Sequence, residues 1–252
     1  MNDGHDYYGA RAAYYDLFAE HRSDRAPPSV RFFTAHMPAG ARVLDVGAGT
    51  GRVSLALADR ATEIHALEPS PAMRAIFLAK LAARPDLWCR VTVLDRAAPA
   101  IRLPRRFGYA CLSGLLQHLT PGERPELFAA LARHLDPGGL LAMDMISGDD
   151  EDERPDHADE RLRLGECTYT LHYSATPTGP DRRQVRLEYR VTHAGATTST
   201  EIIEHVRHLH RRTPVVAELR SAGFQVLGGS AVRGEHGTAD GGTVVARHAP
   251  LS

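Results

Sequence analysis

Short apolar runs alternate with helical patterns between positions 42 and 145 of the chain. The runs are rich in β-branched and apolar residues and predict strands, and the segments between them place apolar residues on one helix face. Strands and helices that alternate in this way are typical of βαβ units, which build a parallel sheet. The predicted strands are 42–46, 63–68, 90–94, 109–113 and 139–145, and the predicted helices are 52–60, 71–84 and 124–134.

The pattern changes after position 145. A charged, apolar-poor run at 149–153 predicts a loop. Beyond it, apolar and polar residues alternate with a period of two, which predicts a three-stranded antiparallel sheet. Its strands are 167–174, 184–193 and 198–210, and the helical and apolar patterns that return after them are 214–222, 224–227 and 243–246.

These changes predict an α/β fold with a doubly wound, mostly parallel seven-stranded sheet and an inserted antiparallel three-stranded sheet. We divide the chain into an aromatic N-terminal lid helix (1–30), a core (31–147 and 212–252), and an acidic loop with the inserted sheet (148–211). The insertion is expected to cap a substrate or to form a contact between two copies in a homodimer.

Composition narrows the class of partner. The 252 residues suffice for one large domain with an insertion. A formal net charge of -1 gives no electrostatic reason to expect nucleic acid or a membrane surface, so a small-molecule substrate is expected. The cysteines Cys89, Cys111 and Cys167 cannot all pair, which favours a reduced cytoplasmic location. No segment has the pattern of a membrane span or a signal peptide.

Three glycines at alternate positions, Gly47, Gly49 and Gly51, join the first strand to the first helix. Glycine permits the backbone angles of such a turn and lets a ligand approach the main chain closely. A dinucleotide fingerprint would carry its third glycine where this chain has Arg52, and Asp45 precedes the loop. A tight turn without a ligand is the alternative.

This loop resembles the first motif of the Rossmann-like S-adenosylmethionine-dependent methyltransferases. The resemblance extends to Glu68 after the second strand, Asp95 after the third, the segment 111–119 along the fourth, and the Leu-x-Pro-Gly-Gly turn at 135–139. Together, in this order and spacing, these features indicate the family more strongly than any one of them.

The resemblance implies S-adenosyl-L-methionine as the cofactor and assigns its contacts. Glu68 would accept both ribose hydroxyls, Pro69 and Met73 would line the adenine, and Asp95 would accept from the adenine amino group beside the Arg96 N–H. The segment after the fourth strand would run beneath the methionine part. The implied cofactor residues are Asp45, Gly47, Ala48, Gly49, Gly51, Glu68, Pro69, Met73, Asp95, Arg96, Leu112 and Ser113.

His118 is the candidate catalytic residue, because the family places a histidine toward the substrate at the end of this segment. Histidine titrates near neutral pH and could take a proton from an amine or an alcohol; a purely structural role is the alternative. A lid that excludes water would present aromatic faces to a cationic group, whereas an aromatic stripe that only docks its helix is the simpler interpretation. The candidate substrate residues are Tyr7, Tyr8, Tyr14, Tyr15 and Gln117.

Three histidines near the end of the inserted sheet, His205, His208 and His210, suggest a metal site. Strand alternation places His205 on the face opposite the other two, so the three could not converge on one ion. We therefore expect no metal.

The N-terminal aromatic helix and the antiparallel insertion resemble small-molecule N-methyltransferases that act on amino sugars and glycine-like amines. With an arginine-rich composition typical of a GC-rich genome, this favours a methyltransferase of bacterial secondary metabolism. An O-methyltransferase with His118 as general base, or a cofactor-binding protein without transfer activity, remains open. A nicotinamide-dependent oxidoreductase is disfavoured by Arg52 in place of the third glycine.

Overall fold

A seven-stranded sheet forms the centre of the computed structural model, which describes residues 9–21, 28–145, 157–228, 232–233, 239–240 and 242–249. The strand order is β10-β13-β5-β4-β1-β2-β3, in which β1 to β5 pair in parallel and β13 pairs antiparallel with β5 and β10. The doubly wound prediction is confirmed. The strands are β1 Arg42–Val46, β2 Glu63–Leu67, β3 Val91–Leu94, β4 Phe107–Leu112, β5 Leu135–Asp144, β10 Phe224–Gly228 and β13 Thr243–His248.

Helices cover both faces of this sheet and bury two apolar layers. Successive residues of β1 point to opposite faces, so Val43 packs in one layer and Leu44 in the other. The helices are α1 Gly9–His21, α2 Pro28–His36, α3 Arg52–Ala58, α4 Pro71–Ala82, α5 Glu123–His134 and α6 Arg212–Ser221. No helix in the described ranges is long and apolar enough to cross a membrane.

The strand β5 begins four residues earlier than the prediction. Leu135 already pairs with Phe107, and the pairing then shifts before Tyr109 meets Leu140. A Cβ at Gly139 would lie 2.9 Å from the Asp136 carbonyl oxygen. The glycines at this turn therefore form a bulge inside the strand rather than a loop before it.

The inserted sheet has four antiparallel strands, not the predicted three, in the order β6-β7-β8-β9. The strand that was not predicted is β6, which has the sequence His-Ala-Asp-Glu-Arg-Leu-Arg-Leu. This sequence is mostly polar because β6 lies at an edge of the sheet. The acidic run 149–153 that precedes it lies outside the described residues. The four strands are β6 His157–Leu164, β7 Cys167–Gly179, β8 Arg182–His193 and β9 Ala196–His208.

Helix α1 packs against the inserted sheet and not against the core alone. Phe18 is buried in one cluster with Leu171, Tyr189 and Ile203 of that sheet. Helix α2, which the sequence pattern did not predict, buries Phe33 against the core. Two short strands, Val232–Arg233 (β11) and Ala239–Asp240 (β12), pair with each other.

Candidate cofactor and acceptor site

The glycine loop between β1 and α3 has positive φ at all three glycines, 77° at Gly47, 57° at Gly49 and 79° at Gly51. A Cβ at Gly47 would lie 3.1 Å from Leu115 Cδ1, and one at Gly51 would lie 2.2 Å from the Phe77 ring. At Gly49 a Cβ would meet no described atom within 4 Å. The backbone at Gly49 is therefore open to a ligand, as a nucleotide cradle requires.

Asp45 lies beneath this loop in β1 and is fully buried. Ser54 on α3 donates a hydrogen bond from its Oγ to Asp45 Oδ2 at 2.6 Å, whereas Oδ1 has no hydrogen-bond partner among the described residues. Burial raises the pKa of Asp45 to about 6, although hydrogen bonds with the Ser54 and Cys111 side chains oppose this. This buried carboxyl therefore links β1 to α3 beneath the loop, and a contact with the cofactor stays a prediction.

Glu68, directly after β2, connects the second strand to the glycine loop. Its Oε2 accepts a hydrogen bond from the Gly49 N–H at 2.8 Å, and its Oε1 accepts one from the Ser70 N–H at 2.7 Å. Burial raises the pKa of Glu68, and the two backbone donors oppose the shift. Each oxygen retains a second lone pair. The predicted contact with ribose hydroxyls is compatible with this geometry and stays a prediction.

The predicted adenine residues lie together at the ends of β2 and β3. Asp95 forms a two-point ion pair with Arg74 of α4, with N–O distances of 3.0 and 3.1 Å. Arg74 also donates to the carbonyl oxygen of Pro69 at 2.7 Å, and Met73 is buried beside it. The Arg96 N–H donates to the carbonyl oxygen of the last β3 residue at 3.0 Å, so it is already engaged.

The end of β4 is tied to the end of β5 by a carboxylate that sequence reasoning missed. Asp144 accepts from Ser113 Oγ at 3.2 Å and from the Gly114 N–H at 2.6 Å. Burial raises the pKa of Asp144 to about 6, against these two hydrogen bonds. The neighbouring Leu112 is buried in the core. An acidic residue at the carboxyl end of a predicted strand was the signal that could have identified Asp144.

The candidate acceptor residues occupy a short 3-10 turn, Leu116–His118, after β4. Gln117 Nε2 donates to the Gly114 carbonyl oxygen at 3.1 Å, and its Oε1 is buried without a hydrogen-bond partner in the described part of the chain. The His118 ring lies 6.0 Å, centroid to centroid, from the His205 ring of β9. The inserted sheet therefore meets the core at the predicted acceptor side.

His210, one of the three clustered histidines, holds this turn in place through a hydrogen bond to its backbone. It is 1% exposed, donates from Nε2 to the Leu116 carbonyl oxygen at 2.6 Å, and accepts from Arg124 at Nδ1. Arg124 forms two hydrogen bonds with Glu218, at 2.9 and 2.6 Å. Burial lowers the pKa of His210. No group of three potential metal ligands occurs among the described residues.

Of the predicted lid tyrosines, Tyr14 stacks on Tyr189 of the inserted sheet, with ring centroids 4.8 Å apart and planes at 11°. Tyr15 is half-buried on the same helix. Tyr7 and Tyr8 lie outside the described residues. The stacking shows that part of the aromatic stripe docks the helix on the insertion, and the lid role stays a prediction.

Comparisons with known proteins relate part of the chain to a family. Residues 43–139 match the family model described as a methyltransferase domain. An uncharacterized methyltransferase from Staphylococcus carnosus (strain TM300) is 32% identical over 106 residues, which are 42% of this chain and 47% of that relative. The matched region thus spans about half the length of the curated relative.

Two solved structures extend the likeness to most of the chain. An amino pentose methyltransferase from Micromonospora echinaspora, involved in calicheamicin biosynthesis and solved with S-adenosylmethionine, is 23% identical, with a TM-score of 0.70 over 95% of this chain and 96% of its own. A glycopeptide N-methyltransferase solved with the same cofactor is 28% identical, with a TM-score of 0.60 over 88% of this chain and 93% of its own.

Residues 43–139 therefore resemble a methyltransferase domain, and the chain has the Rossmann-like fold of the S-adenosylmethionine-dependent methyltransferases. The residues present fit S-adenosyl-L-methionine, the cofactor in both of these solved structures, on two points: the open space beside Gly49 and the carboxylate of Glu68 held at the edge of the loop.

Proposed function

We propose that this protein transfers a methyl group from S-adenosylmethionine to an amine of a small-molecule acceptor. The observation that carries the proposal is the approach of His118 to His205, which brings two imidazoles and the inserted sheet to the end of the segment that follows β4. An amine is protonated near neutral pH and must lose a proton before it can attack carbon. An imidazole at this point suits that task.

The cofactor supplies an activated methyl group, so the contribution of the chain is alignment, exclusion of water and acceptance of a proton. Asp45, Glu68 and the glycine loop would hold the donor. Gln117 would orient the acceptor through its buried Oε1, and His118 would receive the proton that the amine releases.

The two similar solved structures support methylation of nitrogen and a role in secondary metabolism. One acts on an amino pentose in the biosynthesis of calicheamicin, and the other is an N-methyltransferase of glycopeptides. The net charge of -1 gives no reason to expect a polyanionic acceptor. A small amine, such as an amino sugar, is the acceptor class that we propose.

The test is methyl transfer to matched acceptor pairs followed by mass spectrometry. Amino sugars and the corresponding hydroxyl sugars are incubated with enzyme and S-adenosylmethionine, and mass gains of one or two methyl groups are located on nitrogen or oxygen. Transfer to the amines alone supports the proposal, and transfer to hydroxyls alone establishes the O-methyltransferase alternative.

Calorimetry with S-adenosylhomocysteine and with NAD separates the remaining alternatives. Binding of S-adenosylhomocysteine without transfer to any acceptor of a broad amine panel would indicate a cofactor-binding protein without activity. Binding of NAD, and not of S-adenosylhomocysteine, would contradict the proposed methyl donor.

A further inference from the structure

Three side chains from separate elements meet where α1 crosses the glycine loop. Asp16 of α1 accepts a hydrogen bond at Oδ1 from Thr50 Oγ1 at 2.6 Å, and its Oδ2 lies 2.6 Å from Lys80 Nζ of α4. Lys80 also donates to Thr50 Oγ1 at 3.4 Å. A single carboxylate thus joins α1 both to the loop that carries the donor and to the helix behind it.

This contact is less exposed than a surface ion pair. The side chains of Lys80 and Asp16 are only 29% and 21% exposed, and Thr50 is 1% exposed. Partial burial reduces screening by solvent, and the Thr50 hydroxyl gives the pair a fixed geometry. Lys80 is the only lysine of the chain. Its compact ammonium donates in several directions at once, which suits a contact with two oxygen acceptors.

The same helix is attached to the inserted sheet on its other side. Tyr14 stacks on Tyr189, and Phe18 is buried against the same ring at 5.7 Å between centroids. Helix α1 therefore bridges the loop on the donor side and the sheet on the acceptor side. Because α1 is held by contacts on two sides, it can leave the loop only if the contact at Asp16 breaks, together with the longer hydrogen bond from Arg52 to the Ala19 carbonyl oxygen at 3.4 Å.

We propose that Asp16, Lys80 and Thr50 form a latch that holds α1 on the glycine loop, and that opening of this latch sets the rate at which the cofactor and its product exchange. Asp16 and Lys80 are positioning residues in this scheme, because they act through the loop and through α1. The proposal rests on the cofactor site and not on the identity of the acceptor.

The first test measures the dissociation of tritiated S-adenosylhomocysteine after a chase with excess unlabelled compound. In Asp16→Asn and Lys80→Met we expect dissociation to accelerate about tenfold or more, with a smaller change in the association rate constant. The double variant should resemble either single one, since each removes the same contact. Exchanging the charges, with Asp16→Lys and Lys80→Asp together, should restore part of the slow dissociation.

Asp59→Asn is the matched control, since it removes an ion pair with Arg84 that is exposed at 70% and 41% and lies away from α1. It should leave dissociation within about twofold of the wild type. Dissociation rates within twofold of the wild type in both folded latch variants would overturn the proposal.

A second test needs no variant. Because Lys80 is the only lysine, acylation by an amine-reactive reagent, followed by peptide mass spectrometry, reports on this one side chain. The N-terminal amine serves as the internal reference. Saturating S-adenosylhomocysteine should slow the acylation of Lys80 several-fold, and an unchanged rate would contradict the latch. Neither test uses an acceptor, so failure of the proposed methyl transfer would leave both results interpretable.

Discussion

The ring of Phe77 on α4 occupies the place that a side chain at Gly51 would take. A Cβ at Gly51 would lie 2.2 Å from Phe77 Cδ2, and Phe77 is fully buried. The sequence pattern attributes all three glycines of the loop to a ligand. The structure divides these roles, because Gly51 is required by packing against α4, whereas Gly49 faces open space.

This difference predicts that Gly51→Ala damages folding more than an alanine at another left-handed glycine. Gly40 is the matched control, since its φ is 73° and a Cβ there would meet no described atom within 4 Å. Gly40→Ala should cost about 1–2 kcal/mol of unfolding free energy for the unfavourable backbone angle. Gly51→Ala should cost about 1–3 kcal/mol more because the ring must move. Urea unfolding of both variants measures this, and equal losses would refute the packing role.

Gly49→Ala should separate binding from stability. Its Cβ would also meet no described atom within 4 Å, so the loss of unfolding free energy should match that of Gly40→Ala. The added methyl group would occupy the space through which a ligand approaches the main chain. We expect the affinity for S-adenosylhomocysteine to fall about tenfold or more, measured by calorimetry. Gly40→Ala should retain affinity, and a Gly49→Ala variant with wild-type affinity would show that the ligand does not approach there.

The parts of the molecule that the sequence revealed are those with local signals. The strand-to-helix turn and Glu68 each follow directly after a predicted strand, so their positions follow from strand ends and backbone angles. Contacts between distant segments carry no such signal: Asp16 meets Lys80, and His210 holds the carbonyl oxygen of Leu116, only in the folded chain. The polar edge strand β6 was missed because hydrophobic alternation identifies strands by their buried face.

A pH dependence of stability follows from Asp45. Burial raises its pKa from 3.8 to about 6. Between these values the folded protein holds a proton that the unfolded chain has lost, so this group lowers the unfolding free energy as pH rises through that window, with no further change above it. Replacing Asp45 by Asn removes the effect. The unfolding free energy of Asp45→Asn, relative to that of the wild type, should therefore rise by about 1–3 kcal/mol as the pH increases from 4 to 7.

Urea unfolding of the wild type and of Asp45→Asn across this pH range measures the difference between their unfolding free energies. Burial lowers the pKa of His210, which gives the opposite pH dependence, but both proteins contain His210 and its contribution cancels in the difference. Asp144→Asn should show the same trend, because burial raises the pKa of that carboxyl to about 6 as well. Asp86→Asn is the contrasting control, since the hydrogen bond and charge of Arg84 lower its pKa. A constant difference between Asp45→Asn and the wild type at all pH values would contradict the assignment.

His118 and His205 lie 6.0 Å apart across the junction of the core and the inserted sheet, which allows their roles to be separated. If His118 takes the proton of the acceptor, His118→Ala should lower turnover about tenfold or more while affinity for S-adenosylhomocysteine stays within about threefold. His205→Gln should lower turnover less and shift its pH profile, because it changes only the surroundings of that base. His36→Ala, an exposed change on α2, is the control. Turnover measured with a methylated amine acceptor decides the matter: unchanged turnover in His118→Ala would remove this histidine from the proton transfer and leave alignment as the whole contribution of the site.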